Sequence, residues 1–375
     1  MTAARPAGRR LPRPLHPVAW WLWAACLAFT VSRTSNPLLM LLTLGVLGFV
    51  VSARRTDASW ARGFRYYLWF ALTVIAIRVL FRAVFGSGTV PAEHVLFSVP
   101  RIPLPGWYSG VRLGGPVSLE AVLSASVDGL RLACILCCVG AANSLANPKR
   151  ALRVLPGALY ELGVAVTVSI SVAPQLIESV QRVRRARRLR GGRHTGLRAL
   201  RGIAVPVLED ALDRSLRLAA AMDSRGYGRT GSASRTSRRL TAALLLAGLV
   251  GLAAGCYGLL DSTLPAGFGL PVLAAGGLLC AAGLAAGSRR VHRTNYRPDP
   301  WRAPEWLVTG CGLACLALLL VGAVLRPAAV VPTFYPLSWP PLPVLPLLGL
   351  LVAALAGIAA PPVGAARPAP LGAAA

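Results

Sequence analysis

Nine apolar runs divide this 375-residue sequence and limit what it can fold into. They cover 18–31, 37–52, 66–85, 118–142, 159–177, 241–260, 271–287, 305–325 and 341–360. A helix that crosses a bilayer needs about 20 apolar residues, and most of these runs reach or approach that length. Charged residues make up only 14% of the chain, whereas soluble domains contain roughly 25%. The pattern predicts an all-α, polytopic membrane protein and excludes an ordinary soluble enzyme.

The placement of basic residues between the runs predicts an orientation. Arginines are concentrated in the segments 1–17, 53–65, 143–158, 182–240 and 288–304, whereas the long loop 86–117 contains two. By the positive-inside rule, the N-terminus lies in the cytoplasm and the protein crosses the cell membrane several times. The apolar run 159–177 lies between two segments that the rule places in the cytoplasm. We therefore expect this run to belong to a cytoplasm-facing helical module.

The sequence contains none of the motifs for catalysis or metal binding that we considered. Its 40 basic residues include one lysine, Lys149, which does not stand in the G-x-x-x-x-G-K-[ST] motif of a phosphate-binding loop. The four histidines lie in separate loops without metal-ligand spacing. Cys134 and Cys137 are interpreted as small apolar residues inside a membrane helix, since no second pair completes a metal site. We expect no catalytic residue, no metal site and no cofactor in this chain.

The basic segment 178–229 predicts two helices that each end in Arg-Gly. Val180, Val183, Ala186 and Leu189 form an apolar stripe on the first helix, which ends at Arg190-Gly191. The second helix is predicted to begin at Pro206 and to end at Arg225-Gly226, with a ridge formed by Leu208, Leu212, Leu216 and Ala220. Glycine after a helix serves as a left-handed cap. An arginine at a helix tip can bind a carboxylate of a docked protein through its bidentate guanidinium.

The charge pattern alone leaves three interpretations of this segment open. It could be a solvated basic face that holds anionic lipid, an RNA-binding helix, or a protein-docking module. RNA binding is disfavoured because no aromatic platform is interleaved with the arginines.

Two stretches of the segment resemble the Ala-Arg-Gly signatures of the T component of energy-coupling-factor transporters, the EcfT or CbiQ-like family. The first stretch runs from Ala186 to Gly191, and the second from Ala221 to Gly228. Asn36-Pro37 resembles the early Asn-Pro element of the family, and the resemblance covers about 15–260. The alanine before each Arg-Gly is replaced, by Leu189 and by Ser224.

The resemblance implies a scaffold that joins a membrane S component to two ABC ATPases in an importer of vitamins or metal ions. Arg190, Gly191, Arg225 and Gly226 would dock the ATPases. The supporting residues would be Ala186, Leu189, Ala221, Met222, Asp223, Ser224, Tyr227 and Gly228. ATP would bind only to the partner subunits, and no nucleic acid is implied. The alternative function is a membrane scaffold, unconnected with transport, whose basic helices bind anionic lipid or an acidic protein.

The predicted organisation has six parts. They are a cytoplasmic tail at 1–17, membrane helices at 18–142 that would hold the S component, a cytoplasm-facing coupling module at 143–240, a membrane helix at 241–260 that closes the family core, further membrane segments without an assigned role at 261–360, and a disordered tail at 361–375. Arg78, Arg82, Asp128 and Arg131 stand in or beside apolar runs. We expect these four residues to lie near helix ends or to form structural pairs.

Overall fold

The computed structural model describes residues 15–55, 63–85, 94–102, 113–154, 156–190, 197–226, 235–260, 267, 269–289, 299–332 and 339–361. Within these residues, seven helices are long and apolar enough to cross a membrane. The prediction of an all-α, polytopic membrane protein is thereby confirmed. Of the predicted features, Gly191, Tyr227, Gly228, most of the N-terminal tail and the C-terminal tail beyond 361 lie outside the described residues.

The helices follow the apolar runs closely. Their bounds are α1 Pro17–Ser32, α2 Pro37–Arg54, α3 Phe64–Phe85, α4 Leu119–Leu145, α5 Pro148–Ala151, α6 Tyr160–Leu189, α7 Leu197–Ser224, α8 Arg235–Leu260, α9 Gly269–Ser288, α10 Ala303–Leu325, α11 Pro327–Val330 and α12 Val344–Ala359. Short 3-10 turns occupy Leu152–Val154 and Gly157–Leu159. The chain forms two compact units, one containing 1–151 and 298–375 and the other containing 152–297.

The loop predicted at 86–117 contains an antiparallel hairpin. Strand β1, Val95–Ile102, pairs with β2, Leu113–Ser118, with Phe97 opposite Val117. Ser118 ends the hairpin and caps α4, because its side chain accepts a hydrogen bond from the amide of Ala121 at 3.3 Å.

The first unit has a core to which both ends of the chain contribute. Helices α1, α2 and α4 pack with α10 and α12. Trp23 and Leu47 share this core with Leu319 of α10 and Leu350 of α12, and all four are at most 2% exposed. The part of the chain for which the sequence predicted no role is therefore divided, since α10–α12 belong to the first unit and α9 to the second.

Hydrogen bonds join the C-terminal helices to the turn between α1 and α2. The hydroxyl of Thr34 donates to the carbonyl of Val330 at 2.7 Å. The side-chain amide of Asn36 donates to the carbonyls of Ala329 and Pro341, at 3.0 and 2.8 Å. Asn36 also begins α2, because its Oδ1 accepts a hydrogen bond from the amide that follows Pro37.

The opposite end of the same unit is joined as well. A carboxylate oxygen of buried Glu305 accepts from the amide of His16 at 3.3 Å. Arg150 forms a 2.7 Å ion pair with Asp299. The Arg54 guanidinium donates to carbonyls in the last turn of α12. Helices α1 and α2 are thus held by C-terminal residues at both of their ends.

In the second unit, α8 and α9 pack backbone to backbone. A Cβ atom at Gly255 would lie 2.5 Å from Cα of Leu273, and one at Gly276 would lie 2.5 Å from the amide nitrogen of Leu252. Such small-residue contacts let membrane helices approach closely.

The two predicted basic helices have different bounds from those expected. The prediction that a helix begins at Pro206 is wrong, because α7 starts at Leu197 and Pro206 lies inside it. The apolar run 159–177 and the basic stretch after it form one helix, α6, with Pro174 inside. Length and composition place Glu161–Leu189 among the seven candidate spans. A proline removes one helical hydrogen bond, which packing against a neighbouring helix can offset.

Candidate functional site

Helices α6 and α7 form an antiparallel pair whose register is set by polar contacts. Nη1 of Arg214 donates a hydrogen bond to Oε1 of Gln175 at 2.9 Å. Oγ of Ser179 donates one to Oδ2 of Asp210 at 2.7 Å. The third contact is the close approach of the Arg187 guanidinium to Gly202. Each step forward along α6, from 175 to 179 to 187, is matched by an equal step backward along α7, from 214 to 210 to 202. The three contacts therefore describe one continuous helix–helix register.

The Arg187 guanidinium occupies the space beside Gly202 that a larger side chain would fill. A Cβ atom at position 202 would clash with the Arg187 guanidinium, so a larger residue would displace it. Pro206 has no amide hydrogen, and the carbonyl that loses its helical partner as a result is that of Gly202. The Arg187 guanidinium and the residue with the unpaired helical carbonyl therefore lie close together.

Asp210 is the acidic residue at the contact between α6 and α7. The hydroxyl of Ser179 donates a hydrogen bond to its carboxylate, and Arg214 forms an ion pair with it at 3.3 Å. The Ser179 hydrogen bond is the main cause that holds the pKa of Asp210 below its usual value, and the charges of Arg214 and Arg182 act in the same direction. Asp210 is thus anionic at neutral pH and links the two helices.

The first signature arginine stands at the end of α6. Arg190 is the residue after the helix, and its amide donates to the carbonyls of Ala186 and Arg187. The Arg190 side chain is exposed, and the neighbouring Leu189 is 90% exposed. Nothing within the described residues buries this helix tip.

The second signature arginine follows α7 in a tight turn. The amide of Arg225 donates to the carbonyl of Met222 at 3.1 Å, and that of Gly226 to the carbonyl of Asp223 at 2.9 Å. Gly226 has φ 74°, the left-handed conformation that glycine adopts without strain. Arg225 is exposed. The remaining described residues of this signature are exposed except half-buried Met222, and they are Ala221, Asp223 and Ser224.

The two arginines lie at opposite ends of the helix pair. Arg190 follows α6 and stands beside the connection to α7, whereas Arg225 follows the far end of α7. Helix α7 has 28 residues, and at about 1.5 Å per residue it spans about 40 Å. The antiparallel register thus separates two similar Arg-ended tips by the length of a helix.

Comparison of the sequence with protein families identifies the family of this chain. The family model described as CbiQ, cobalt transport protein, matches residues 9–237, which is more than half of the chain. The chain belongs to the CbiQ family. A CbiQ-family protein is a membrane component of a cobalt or energy-coupling-factor type transporter. Comparison of the sequence with curated proteins gives no match.

The family match ends at residue 237, close to the start of α8. Helices α9 to α12 therefore lie beyond it, although α10 and α12 pack on α1 and α2, which lie within it. Asn36, in the Asn-Pro element of this CbiQ-family protein, is bound by Ala329 and Pro341 from beyond the match. The sequence pattern contained no signal for these contacts.

One side of α7 remains apolar and exposed. Leu208, Leu212 and Leu216 recur every fourth residue and are 61%, 63% and 68% exposed. Asp210, which contacts α6, is two residues from Leu212 and therefore points to nearly the opposite side of the helix. The ridge predicted from the sequence thus faces away from α6.

Metal ligands do not come together in the described part of the chain. No group of three or more His, Cys, Asp or Glu side chains there could hold a metal ion.

Proposed function

We propose that this CbiQ-family protein is the transmembrane coupling subunit of an energy-coupling-factor type ABC importer for a vitamin or a metal ion. In this role it transmits the motion of two ABC ATPases to a membrane S component that binds the substrate. ATP binds to the partner ATPases, and this chain catalyses no reaction. The N-terminus lies in the cytoplasm.

The observation that carries the proposal is the placement of Arg190 and Arg225. Both arginines are exposed, both follow the last residue of a helix, and the antiparallel register separates them by about 40 Å. Two separate proteins can therefore bind the pair at the same time, one at each end. A single docked protein would not need two similar tips so far apart.

Each tip has the chemistry for docking to an acidic groove. A guanidinium presents five donors in a planar fork, which binds a carboxylate bidentately. Gly226 ends α7 in a left-handed turn, so the chain leaves the helix axis and the arginine remains accessible. We assign the same role to Gly191 after α6. The contacts of Ser179 with Asp210 and of Gln175 with Arg214 keep the two helices in register, so that movement at one tip is passed along the pair.

The S component is assigned to the membrane faces of 18–142. Helix α3 offers a large free surface there, since Tyr66, Trp69 and Leu80 are each at least 60% exposed. Helices α1 and α2 are covered by α10 and α12 on their packed sides.

Co-purification tests the proposal. The full chain is purified in mild detergent together with the ABC ATPases of the same cell, and the parent is compared with Arg190→Glu and Arg225→Glu. Arg184→Glu and Arg185→Glu are the matched controls, because both residues are exposed arginines of α6 that precede the signature stretch. We expect each signature variant to lose one ATPase, the double variant to lose both, and the controls to keep them.

Two results would overturn the proposal. If no ATPase co-purifies with the parent, the chain does not couple to one. If control and signature variants weaken association equally, only total charge matters, and the alternative function of a scaffold for anionic lipid or an acidic protein is favoured.

A further inference from the structure

The strongest unassigned feature is a cavity of about 440 Å³ in the first unit. It is largely open to the molecular surface. Arg33 and Thr34, at the end of α1, form one side, Arg131 of α4 another, and Leu320 and Val324 of α10 a third. Because α10 lies beyond the family match, this cavity exists only through the C-terminal helices.

We propose that this cavity binds a phospholipid with an anionic headgroup, with the phosphate on Arg33 and Arg131 and an acyl chain along α10. The site does not depend on coupling to ATPases.

The Arg131 guanidinium is fixed at the cavity with donors to spare. Its Nε donates to the carbonyl of Thr34 at 3.2 Å, which orients the planar group. Asp128 lies 3.9 Å from Nη1, which is too long for a hydrogen bond. The terminal nitrogens therefore remain able to bind phosphate oxygens, and a guanidinium matches phosphate geometry bidentately.

Arg33 contributes the second positive charge. Its guanidinium carbon lies 5.5 Å from the centroid of the Phe29 ring, a cation–π distance that holds the charge beside the end of α1. Among the described residues, Asp128 is the acidic residue within 4.0 Å of one of these two arginines, and its side chain is 55% exposed. Two arginines and one partly solvated carboxylate leave a net positive site.

The cavity lies at the level where α1 and α10 end and α2 begins, whereas α4 continues past this level to Leu119. Helix α1 ends at Ser32, α2 begins at Pro37 and α10 ends at Leu325. Thr34 binds both Arg131 and Val330, so these residues stand at the same level as the helix ends. Lipid headgroups occupy this level when α1, α2 and α10 span a bilayer, and two arginines in a pocket between membrane helices attract an anionic headgroup.

The wall of the cavity continues into an apolar path. Val324 is 82% exposed, Leu320 40% and Leu313 53%. Steps of four and seven residues keep these three side chains on one face of α10, leading from the cavity toward the middle of the helix. An acyl chain below a headgroup needs such a surface, whereas a free anion does not.

Native mass spectrometry of the full chain in non-ionic detergent tests the proposal, with phosphatidylglycerol and phosphatidylcholine of identical acyl chains as probes. We expect a one-to-one adduct that favours phosphatidylglycerol. Arg33→Gln and Arg131→Gln should each weaken this binding about fivefold, and the double variant about twenty-five-fold. Arg326→Gln is the control, because Arg326 is an exposed arginine at the end of α10 that does not line the cavity.

If Arg131→Gln fails to fold, Arg33→Gln still tests the proposal. Among the described side-chain contacts, Arg33 has one with Phe29, so we expect its replacement to leave the fold intact. Asp128→Asn should strengthen phosphatidylglycerol binding. Equal binding of both lipids, or an equal effect of Arg33→Gln and Arg326→Gln, would overturn the proposal. So would displacement of phosphatidylglycerol by an equal concentration of inorganic phosphate, which would reveal a site for free anions.

Discussion

Nδ2 of Asn36 donates a 2.8 Å hydrogen bond to the carbonyl of Pro341, which is 305 residues away in the sequence. The same nitrogen donates to the carbonyl of Ala329 at 3.0 Å, and Oδ1 accepts from the amide of Leu38 at 3.0 Å. Asn36 has no exposed surface. One buried side chain thus caps α2 and joins the C-terminal segments to the turn between α1 and α2.

Asn36→Leu should lower the free energy of unfolding of the first unit by about 3 kcal/mol. The substitution leaves two carbonyls and one amide without this partner, and each buried unsatisfied group costs about 1–3 kcal/mol. Thermal unfolding in detergent measures the loss. Asn143→Leu is the control, because Asn143 is exposed and donates to the Tyr67 hydroxyl at 2.9 Å. Equal losses in the two variants would contradict the bridging role of Asn36.

Arg150 and Asp299 should show a coupling free energy of about 1 kcal/mol in a double-mutant cycle. Their ion pair of 2.7 Å joins residues before α6 and after α9, and their side chains are only 18% and 37% exposed. Arg150→Gln, Asp299→Asn and the double variant are compared by unfolding at low and high salt. We expect the coupling to fall as salt screens the pair. Strictly additive losses would show that the two charges do not stabilise each other.

The α6–α7 pair should loosen when the pH falls below about 4. The hydrogen bond from Ser179, with Arg214 and Arg182, keeps the pKa of Asp210 below its ordinary value, which is about 3.9. A carboxyl with a lowered pKa in the folded state stabilises that state above its unfolded pKa. This contribution is lost as the pH falls through the folded pKa. Hydrogen exchange of α7 amides between pH 7 and pH 3 measures the change.

Asp210→Asn should remove this part of the pH dependence. Asp213→Asn is the matched control, because Asp213 is 69% exposed and, among the described residues, forms its ion pair within α7, with Arg217 at 3.9 Å. If the Asp210→Asn variant keeps the full acid-induced change, another group is responsible for it.

Gly276→Ala should destabilise the second unit whereas Gly277→Ala should not, although the residues are neighbours. A Cβ atom at 276 would lie 2.5 Å from the amide nitrogen of Leu252, whereas one at 277 would meet nothing within 4 Å. Overpacking of this kind costs about 1–3 kcal/mol. Alanine at 277 should be neutral or stabilise α9 by up to about 1 kcal/mol through helix propensity. Unfolding in mixed detergent micelles distinguishes the two, and equal behaviour would refute the close packing of α8 on α9.

Leu189→Ala and Ser224→Ala should increase ATPase retention without changing stability. Both side chains are exposed, so we expect the free energy of unfolding to stay within about 0.5 kcal/mol. Each substitution restores the alanine that precedes Arg-Gly in the signatures that these stretches resemble. Loss of a co-purifying ATPase from either variant would show that this chain uses Leu189 or Ser224 in docking.

Local patterns predicted the individual helices well. The apolar run 37–52 corresponds to α2, Pro37–Arg54, because Asn36 and Pro37 supply the cap and the first turn within the same stretch. The end of α7 at Ser224 likewise depends on its neighbours, since Gly226 adopts the left-handed turn. Local patterns were misleading at Pro206, because α7 extends back through this proline to Leu197 and lies against Arg187 of α6 at Gly202.

The sequence by itself determined that this protein is helical and crosses a membrane, because apolar length and the scarcity of charge are sufficient for that. It also determined that arginine and glycine stand together at Arg225 and Gly226. Only the tertiary structure decided that Arg190 and Arg225 lie at opposite ends of one helix pair, and that α10 and α12 pack on α1 and α2. Both results depend on contacts between distant residues, such as Ser179 with Asp210 and Asn36 with Pro341, which no local periodicity encodes.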